Sequence, residues 1–521
     1  MNKNARFRSL LVLLCFAVLV LSLAACQSTP TTKTPGATTT PAATTTKATG
    51  STTTAPTDVE KPVIRFLVGG RNYDPNTDTS NLRHMELTGY TVEYLMLPTT
   101  GADEKLLLEM ASGTEYDLVE LGTVMFGKLA SVNALTPLDD LLNEYGSNIL
   151  AAVADVAWNA SLNASGDIVG LPRQAGDGAP FGARAARFFM TKSEILDELD
   201  LTVPTNLDEF YNFLVTIKAA KNVAPLTGTG VMMDDLMAPF GLVNVNWMEI
   251  DGKYVPTVTL PEMREYIRYM AKLYSEGLID PDLPINRGEN IDQKFTGEGA
   301  WLCQYAFWDI PRLVPALLSN GFSKDLVFFE EPLKDANGKY PLINSFGVSK
   351  YYGVPRSATN ADHAIMYMNL LSDPEIFLRS HIGDEGVHHE VVDGRYFPIL
   401  PKFDELNWAN QFCGFAPRPV EHAQWQARAR KTPEMAVAYD AINTKLVAHN
   451  LVRVRDSLTA SLPAAQQYNQ SLNLLMRDFY ISAVIEGKNS DADFDAFIAA
   501  WSEAGGAQVE AEMNNWLQNN P

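Results

Sequence analysis

The regular alternation of apolar and polar positions begins after Lys61. Val63-Ile64-Arg65-Phe66-Leu67-Val68 is a short apolar run closed by Gly69-Gly70, and Tyr90 to Leu97 (YTVEYLML) is a second, so both read as strands. The interval between them has room for a helix. Glu104 to Ser112 (EKLLLEMAS) has helical spacing and is stopped by Gly113, and Tyr116 to Leu121 (YDLVEL) forms a third strand running into Gly122-Thr123. Strands alternating with helices predict an α/β architecture, a parallel sheet covered by helices. Ligands of such sheets bind beyond the carboxyl ends of the strands. That places Arg71, Asn72, Tyr73, Gly122 and Thr123 beside the expected cleft.

Further along, Thr205 is positioned to cap a helix whose apolar side is Leu207, Phe210, Leu214 and Ile217, with Asp208 and Glu209 in the first turn. Pro261 opens another, with Met263, Tyr266, Ile267, Met270, Leu273 and Tyr274 at 3.6-residue spacing and Gly277 as its stop. Both stripes read as core. No stretch repeats at a fixed period of about 20 to 50 residues, which argues against a solenoid or propeller.

Before Lys61 the pattern is of a different kind. Met1 to Leu10 carries Lys3, Arg6 and Arg8 and no acid, and Leu10 to Ala25 is apolar apart from Ser22. The run is shorter than the ~20 residues a spanning helix needs and ends in small residues, as a secretion signal does. From Gln27 to Lys61 the chain is almost entirely Thr, Pro, Ala, Ser, Gly and Lys, with 15 Thr in 35 residues and Val59 its one large aliphatic side chain. Nothing in it offsets the entropy of ordering, so residues 26–61 read as a disordered tether.

The whole chain has 521 residues, 46% hydrophobic and 20% charged, enough for about three average domains or two larger lobes. With 62 Asp+Glu against 41 Lys+Arg the formal net charge is −21, which opposes binding to a phosphate backbone and makes nucleic acid an unexpected partner. Of four cysteines, Cys15 leaves with the signal and Cys26 ends it, while Cys303 and Cys413 either pair, as exported cysteines do, or stay as buried thiols. Seven His, without Cys-x-x-Cys or His-Glu-x-x-His, give no support for zinc.

Several stretches carry a family likeness. Leu23-Ala24-Ala25-Cys26 resembles the lipobox of bacterial lipoproteins, which implies cleavage before Cys26 and a diacylglycerol on its thiol. In the folded part the stretches come in order. They are Met110-Ala111-Ser112-Gly113 with Tyr116-Asp117-Leu118, Asn133 to Asp140, Gly166-Asp167-Ile168-Val169-Gly170-Leu171-Pro172, Val203 to Phe210, Leu273 to Pro281, Phe295 to Ala300, Gly383 to His388, and Trp501 to Trp516. Together they resemble the extracellular solute-binding proteins of ABC importers, specifically the sugar-type family 1 lipoproteins of Gram-positive bacteria. Val169 replaces the family's usual aromatic, and Met190-Thr191-Lys192-Ser193-Glu194 departs from the expected helix entry, which weakens any transfer of ligand contacts there. The resemblance implies a type II periplasmic-binding-protein-like fold: two α/β lobes joined by hinge crossovers, with the ligand cleft between them. The expected division is a signal over 1–25, the tether over 26–61, and a two-lobe domain over 62–521. Lobe 1 is expected near 62–172 plus 345–400, and lobe 2 near 173–344 plus much of 401–521.

A sugar cleft needs aromatic faces and planar polar groups. Gln304-Tyr305-Ala306-Phe307-Trp308-Asp309 supplies both, either as a ligand platform or as core under the following helix. Asn244-Val245-Asn246-Trp247, before an Asp251-Gly252 turn, is a second cluster or a surface loop, and Arg71-Asn72-Tyr73 a third. His388-His389-Glu390 near Asp384-Glu385 lacks a third metal ligand at typical spacing, and Asp393-Gly394 marks a hairpin there. Asp74 to Asp78 begins like a calcium loop, but Thr79 stands at the position that needs glycine and Met85 where the bidentate acid belongs.

No nucleophile elbow, P-loop or dinucleotide fingerprint occurs, although a pair of glycosidase carboxylates is not visible to sequence. The reading is a lipid-anchored, monomeric, cofactor-free and non-enzymatic receptor on the outer face of the membrane. It captures a carbohydrate, expected to be an oligosaccharide, and passes it to the transmembrane subunits of an ABC permease. A surface glycoside hydrolase and a sensory or adhesive lipoprotein are the alternatives.

Overall fold

The computed structural model describes residues 61–163, 165–174, 187–244, 246–340, 344–346, 348–406, 414–416, 418–448, 453–455 and 462–519. The signal, Cys26, nearly all of the tether and Cys413 lie outside the described residues. Two compact units are distinguished, Met1–Val59 and Glu60–Pro521, and the second holds the two larger sheets.

Nine strands build those sheets: β1 (Ile64–Val68), β2 (Val92–Met96), β3 (Leu118–Leu121), β4 (Leu171–Gln174), β5 (Arg187–Lys192), β6 (Leu226–Thr227), β7 (Leu302–Ala306), β8 (Leu326–Phe328) and β9 (Val348–Gly353). The first sheet has the order β2-β1-β3-β9-β4 and the second the order β8-β5-β7-β6. The β1, β2 and β3 pairings are parallel, as the alternating pattern predicts. An all-parallel sheet is not what forms, however. β9 runs antiparallel to both β3 and β4, and the second sheet is antiparallel except for β6 with β7. The reason is topological: the chain leaves for the second sheet after β4 and re-enters the first from the opposite direction as β9.

The first sheet is buried on both faces. Ile64, Phe66, Val68 and Leu118 pack into one core with Tyr352 and Tyr367, while Leu67, Val119 and Leu121 pack into another with Phe126 and Tyr351. The alternation along each strand produces this division. Among its helices are α1 (Thr79–Thr88), α2 (Ala102–Ser112) and α3 (Thr123–Ser131). Asp78 caps α1 and Gly113, at φ 71°, ends α2. Within Gly166 to Pro172, a Cβ on Gly170 would sit 2.6 Å from the Phe126 ring. That close approach is the physical content of the glycine there.

The second lobe has a larger core, in which α4 (Leu207–Lys221) contributes Phe210, Leu214 and Ile217 and α5 (Pro261–Ser275) contributes Met263, Tyr266, Ile267, Met270 and Leu273. Asn206, not Thr205, is the cap of α4: its side chain accepts from the Asp208 and Glu209 amides, and Thr205 donates to Glu209 instead. The hairpin at Asp393-Gly394 joins His389–Val392 to Arg395–Pro398, with φ 50° and 74° at the turn.

The segment Leu273 to Pro281 ends on a buried carboxylate. Asp280 accepts from Thr227 Oγ1 at 2.7 Å, Asn286 Nδ2 at 2.8 Å, Lys294 Nζ at 2.7 Å and the Asp282 amide at 3.0 Å. It thereby ties β6 to α6 (Gly288–Thr296). Burial alone would raise its pKa, but these four partners outweigh burial and hold it below the ordinary aspartate value. A carboxylate depressed in the folded state contributes stability that is present above the unfolded pKa and lost as pH falls through the folded one. Asp280→Asn is therefore expected to cost about 1–3 kcal/mol at pH 7. Urea unfolding should show the gap from the parent narrowing once the pH falls below about 3.9.

Candidate functional site

Both sheets present strand ends where the chain passes between them. In the first sheet these are the ends of β1, β3 and β4 and the start of β9. In the second, Arg187 at the start of β5 pairs with Ala306 at the end of β7. The residues beyond those ends form the candidate site.

On the first lobe, Arg71 follows β1 and its Nη2 donates to both oxygens of Glu120, each at 3.0 Å. Glu120 Oε1 also lies 3.1 Å from Lys350 Nζ, on β9. Burial lowers the Lys350 pKa; Glu120 opposes that, while Arg173 and Arg71 reinforce it. Arg173 stands opposite Lys350 on β4. Burial raises the Tyr73 pKa, with Arg71 acting against it. Asn72 and Thr123 are exposed, and Thr123 is the first residue of α3, a helix with no side-chain cap.

On the second lobe, β7 runs into a tight turn over Phe307–Asp309. Asp309 accepts from the Ala306 amide at 2.9 Å and from Arg312 Nη2 at 3.0 Å, so its carboxylate holds the turn. The turn buries Phe307 and leaves Trp308 37% exposed. Trp308 stacks on Trp425 with ring centroids 5.7 Å apart and planes 28° from parallel, and Phe307 meets Trp425 and Tyr439 edge-on beneath. Trp425 lies on α7 (Arg418–Ala429) and Tyr439 on α8 (Pro433–Ala448). Tyr439 and Gln426 both hydrogen-bond His422, whose pKa burial lowers, with Arg430 adding to the effect.

Several sequence expectations need correction. Trp247 is 2% exposed and packs in the second-lobe core, 5.7 Å from Trp501, so its ring has no face for a ligand. Asn246 is exposed, but its amide donates to Asn473 Oδ1 at 2.7 Å, beside that core. Tyr305 and Phe307, each 5% exposed, are core as well, and Tyr305 donates to Asp292 at 2.9 Å. Among the clustered aromatics, Trp308 alone offers a face. Cys303 is buried within the same core. Sequence reasoning does not find Trp425, Glu120 or Lys350. The available signal for Trp425 is a large ring on an otherwise polar helix, RPVEHAQWQARA. A cavity of about 520 Å³ lies between β2 and α2, lined by Tyr94, Met96, Lys105, Glu109 and Tyr116 among others, and contains none of the candidate residues.

Two α/β sheets, each with polar or aromatic groups beyond its strand ends, have the architecture of a two-lobed binding protein. Residues 84–385 match the model of the bacterial extracellular solute-binding protein family, and the chain belongs to that family. It is 31% identical over 258 residues to an uncharacterized protein in the butB 5' region of Niallia circulans, covering 49% of this chain and 99% of the relative. Lipoprotein LipO of Bacillus subtilis is 22% identical over 85% of this chain and 90% of its own. The polygalacturonan/rhamnogalacturonan-binding protein YtcQ of the same organism is 19% identical over 82% and 85%. In fold the chain resembles the alginate-binding protein AlgQ2, with TM-score 0.66 and 18% identity over 88% of this chain and 99% of that one.

The two tryptophan positions separate by assay. Trp308→Ala and Trp425→Ala are each expected to weaken ligand binding by about 1–3 kcal/mol in calorimetric titration. Trp247→Ala should instead lower unfolding stability by about 3–5 kcal/mol and leave the affinity of the folded protein unchanged.

Proposed function

We propose that the chain is a receptor that captures an oligosaccharide by closing its lobes and delivers it to an ABC permease without chemically altering it. The Trp308–Trp425 stack at the end of β7 carries this reading. Two nearly parallel indoles with one partly exposed make a surface suited to the C–H faces of pyranose rings, and the charged groups beyond β1 suit their polar edges. The polygalacturonan and alginate named for YtcQ and AlgQ2 support a carbohydrate ligand. Lobe 1 is taken as 62–172 plus 345–400 and lobe 2 as 173–344 plus much of 401–521. Cys26 carries the lipid anchor, residues 26–61 hold the receptor off the outer face of the membrane, and it acts as a monomer without a cofactor. The lipoprotein status of LipO supports the anchor.

Two measurements test this. In a thermal-shift screen of the chain from Asp58 onward against mono- and oligosaccharides, peptides and divalent ions, one class of oligosaccharide should raise the melting temperature by mass action. Chromatography of the same mixtures should recover the sugar intact. Accumulating product would establish a hydrolase, and a response to peptides alone would overturn the carbohydrate reading. Mass spectrometry of the chain from membranes should find a diacylglyceryl group on Cys26, absent from Cys26→Ser.

A further inference from the structure

The helix that carries Trp425 is held by a hydrogen-bond relay whose polarity is fixed atom by atom. The hairpin strand Arg395–Pro398 packs against α7, and its Tyr396 amide donates to Gln426 Oε1 at 3.1 Å. A backbone N–H only donates, so that oxygen is placed and the other end of the Gln426 amide faces His422. Gln426 Nε2 lies 2.7 Å from His422 Nε2. An amide nitrogen offers no lone pair, so His422 Nε2 must accept and carries no proton. The ring proton is then on Nδ1, where it donates to the Tyr439 hydroxyl of α8 at 3.2 Å.

One neutral tautomer therefore satisfies the whole relay from the hairpin through α7 to α8. The imidazolium does not: its Nε2–H would meet the Gln426 NH2, two donors with no acceptor between them, and turning the amide would only move the conflict to the Tyr396 N–H. Burial lowers the His422 pKa, Arg430 adds to the effect and Asp440 opposes it. Arg430, just past α7, and Asp440, on α8, pair at 2.8 Å. The hairpin strand also carries Arg395, which is exposed. The helix Pro374–Ile382, packed on the same α7, brings Glu375, Arg379 and the buried His381. Arg379 donates to Asp384 at 2.8 Å, and the His381 carbonyl accepts from Arg428 Nη2 at 3.3 Å. Burial, then Arg428, hold the His381 pKa well below the ordinary value.

We propose that His422 is a positioning residue for the aromatic surface: in its neutral form alone it locks α7 between the hairpin and α8, so that Trp425 stays on Trp308, and acid releases the helix. An undocked histidine takes up a proton near its ordinary pKa of about 6.5, while the docked one resists. Docking is therefore fully present above about pH 6.5 and weakens as the pH falls below it, by up to about tenfold per pH unit for each such histidine. The consequence for capture, weaker binding in mild acid, rests on the carbohydrate reading; the lock itself does not.

The test is hydrogen exchange of the full chain, purified in detergent, followed by mass spectrometry on peptides of α7 from about pH 7.5 to about pH 5 and corrected for the intrinsic exchange rate. In the parent, opening of α7 should become more populated below about pH 6.5. His381 contributes to that slope, so the deciding comparison is with His422→Gln, whose amide accepts from Gln426 and donates to Tyr439 but takes no proton. This variant should match the parent at neutral pH and lose up to about tenfold less protection per pH unit in acid. Gln426→Glu, which gives the imidazolium an acceptor, should likewise keep α7 protected in acid. Protection that is independent of pH in the parent would overturn the lock without any variant. A slope in His422→Gln equal to the parent's would overturn it as well, and so would a loosening of that variant by the same factor at every pH. A pH-dependent lock in a chain that answers to no sugar would leave this inference standing and overturn the receptor reading.

Discussion

The arrangement of the site depends on one constraint, the direction in which β9 returns to the first sheet. The chain leaves that sheet after β4, builds the second sheet, and re-enters between β3 and β4. Coming from the other lobe, β9 must run antiparallel to both neighbours. Its first residues therefore lie beside the last residues of β3 and β4. This is how Lys350 comes to Glu120 and Arg173, although the three are far apart in sequence. The start of β5, the first strand of the second sheet, pairs with the end of β7, so the turn that presents Trp308 follows directly beside it. The topology thus leaves a cationic cluster at the strand ends of one sheet and Trp308 at a strand end of the other.

Legibility in the sequence depends on which signals are local. The strands over Ile64–Val68 and Leu118–Leu121 and the helices over Leu207–Lys221 and Pro261–Ser275 emerge from periodicity, because each buries a face of its own. The Asp393-Gly394 turn is legible because positive φ selects those residues. The antiparallel return of β9 is not legible, since alternating strands and helices describe a parallel sheet until a long excursion intervenes. The charge cluster is hidden for the same reason: the place of Arg71 after β1 can be read from the chain, but its partners are set by pairing across the sheet.

The aromatic residues show a different limit. Trp247 and Trp308 each have one polar and one apolar neighbour in sequence, yet one is enclosed by the second-lobe core and the other is partly exposed. The path of the chain just after each ring makes the difference. Trp247 opens a strand, Trp247–Ile250, whose hairpin partner Lys253–Pro256 packs under the C-terminal helix Ala507–Asn519. Trp308 is caught in a turn that Asp309 closes on the Ala306 amide. The hydrogen bond that makes Asp309 a structural residue is also what directs Trp308 away from the core. Trp425 joins the site only because α7 lies against that turn, a contact with no local signature.

The C-terminal helices bear on how such a site would work. Trp516 packs against the second-lobe core and also against the first-lobe cluster around Phe126 and Leu129. The helix Pro463–Ile485 likewise touches α3. Apolar contact between the two cores thus exists on the side of α3. A ligand that engages both lobes changes the closure equilibrium only by its differential affinity for the two states. Trp308 and the Arg71–Lys350 cluster lie at the ends of different sheets, so a ligand that engages only one of them gains no such difference. A ligand that touches both at once is the one that acquires the differential affinity.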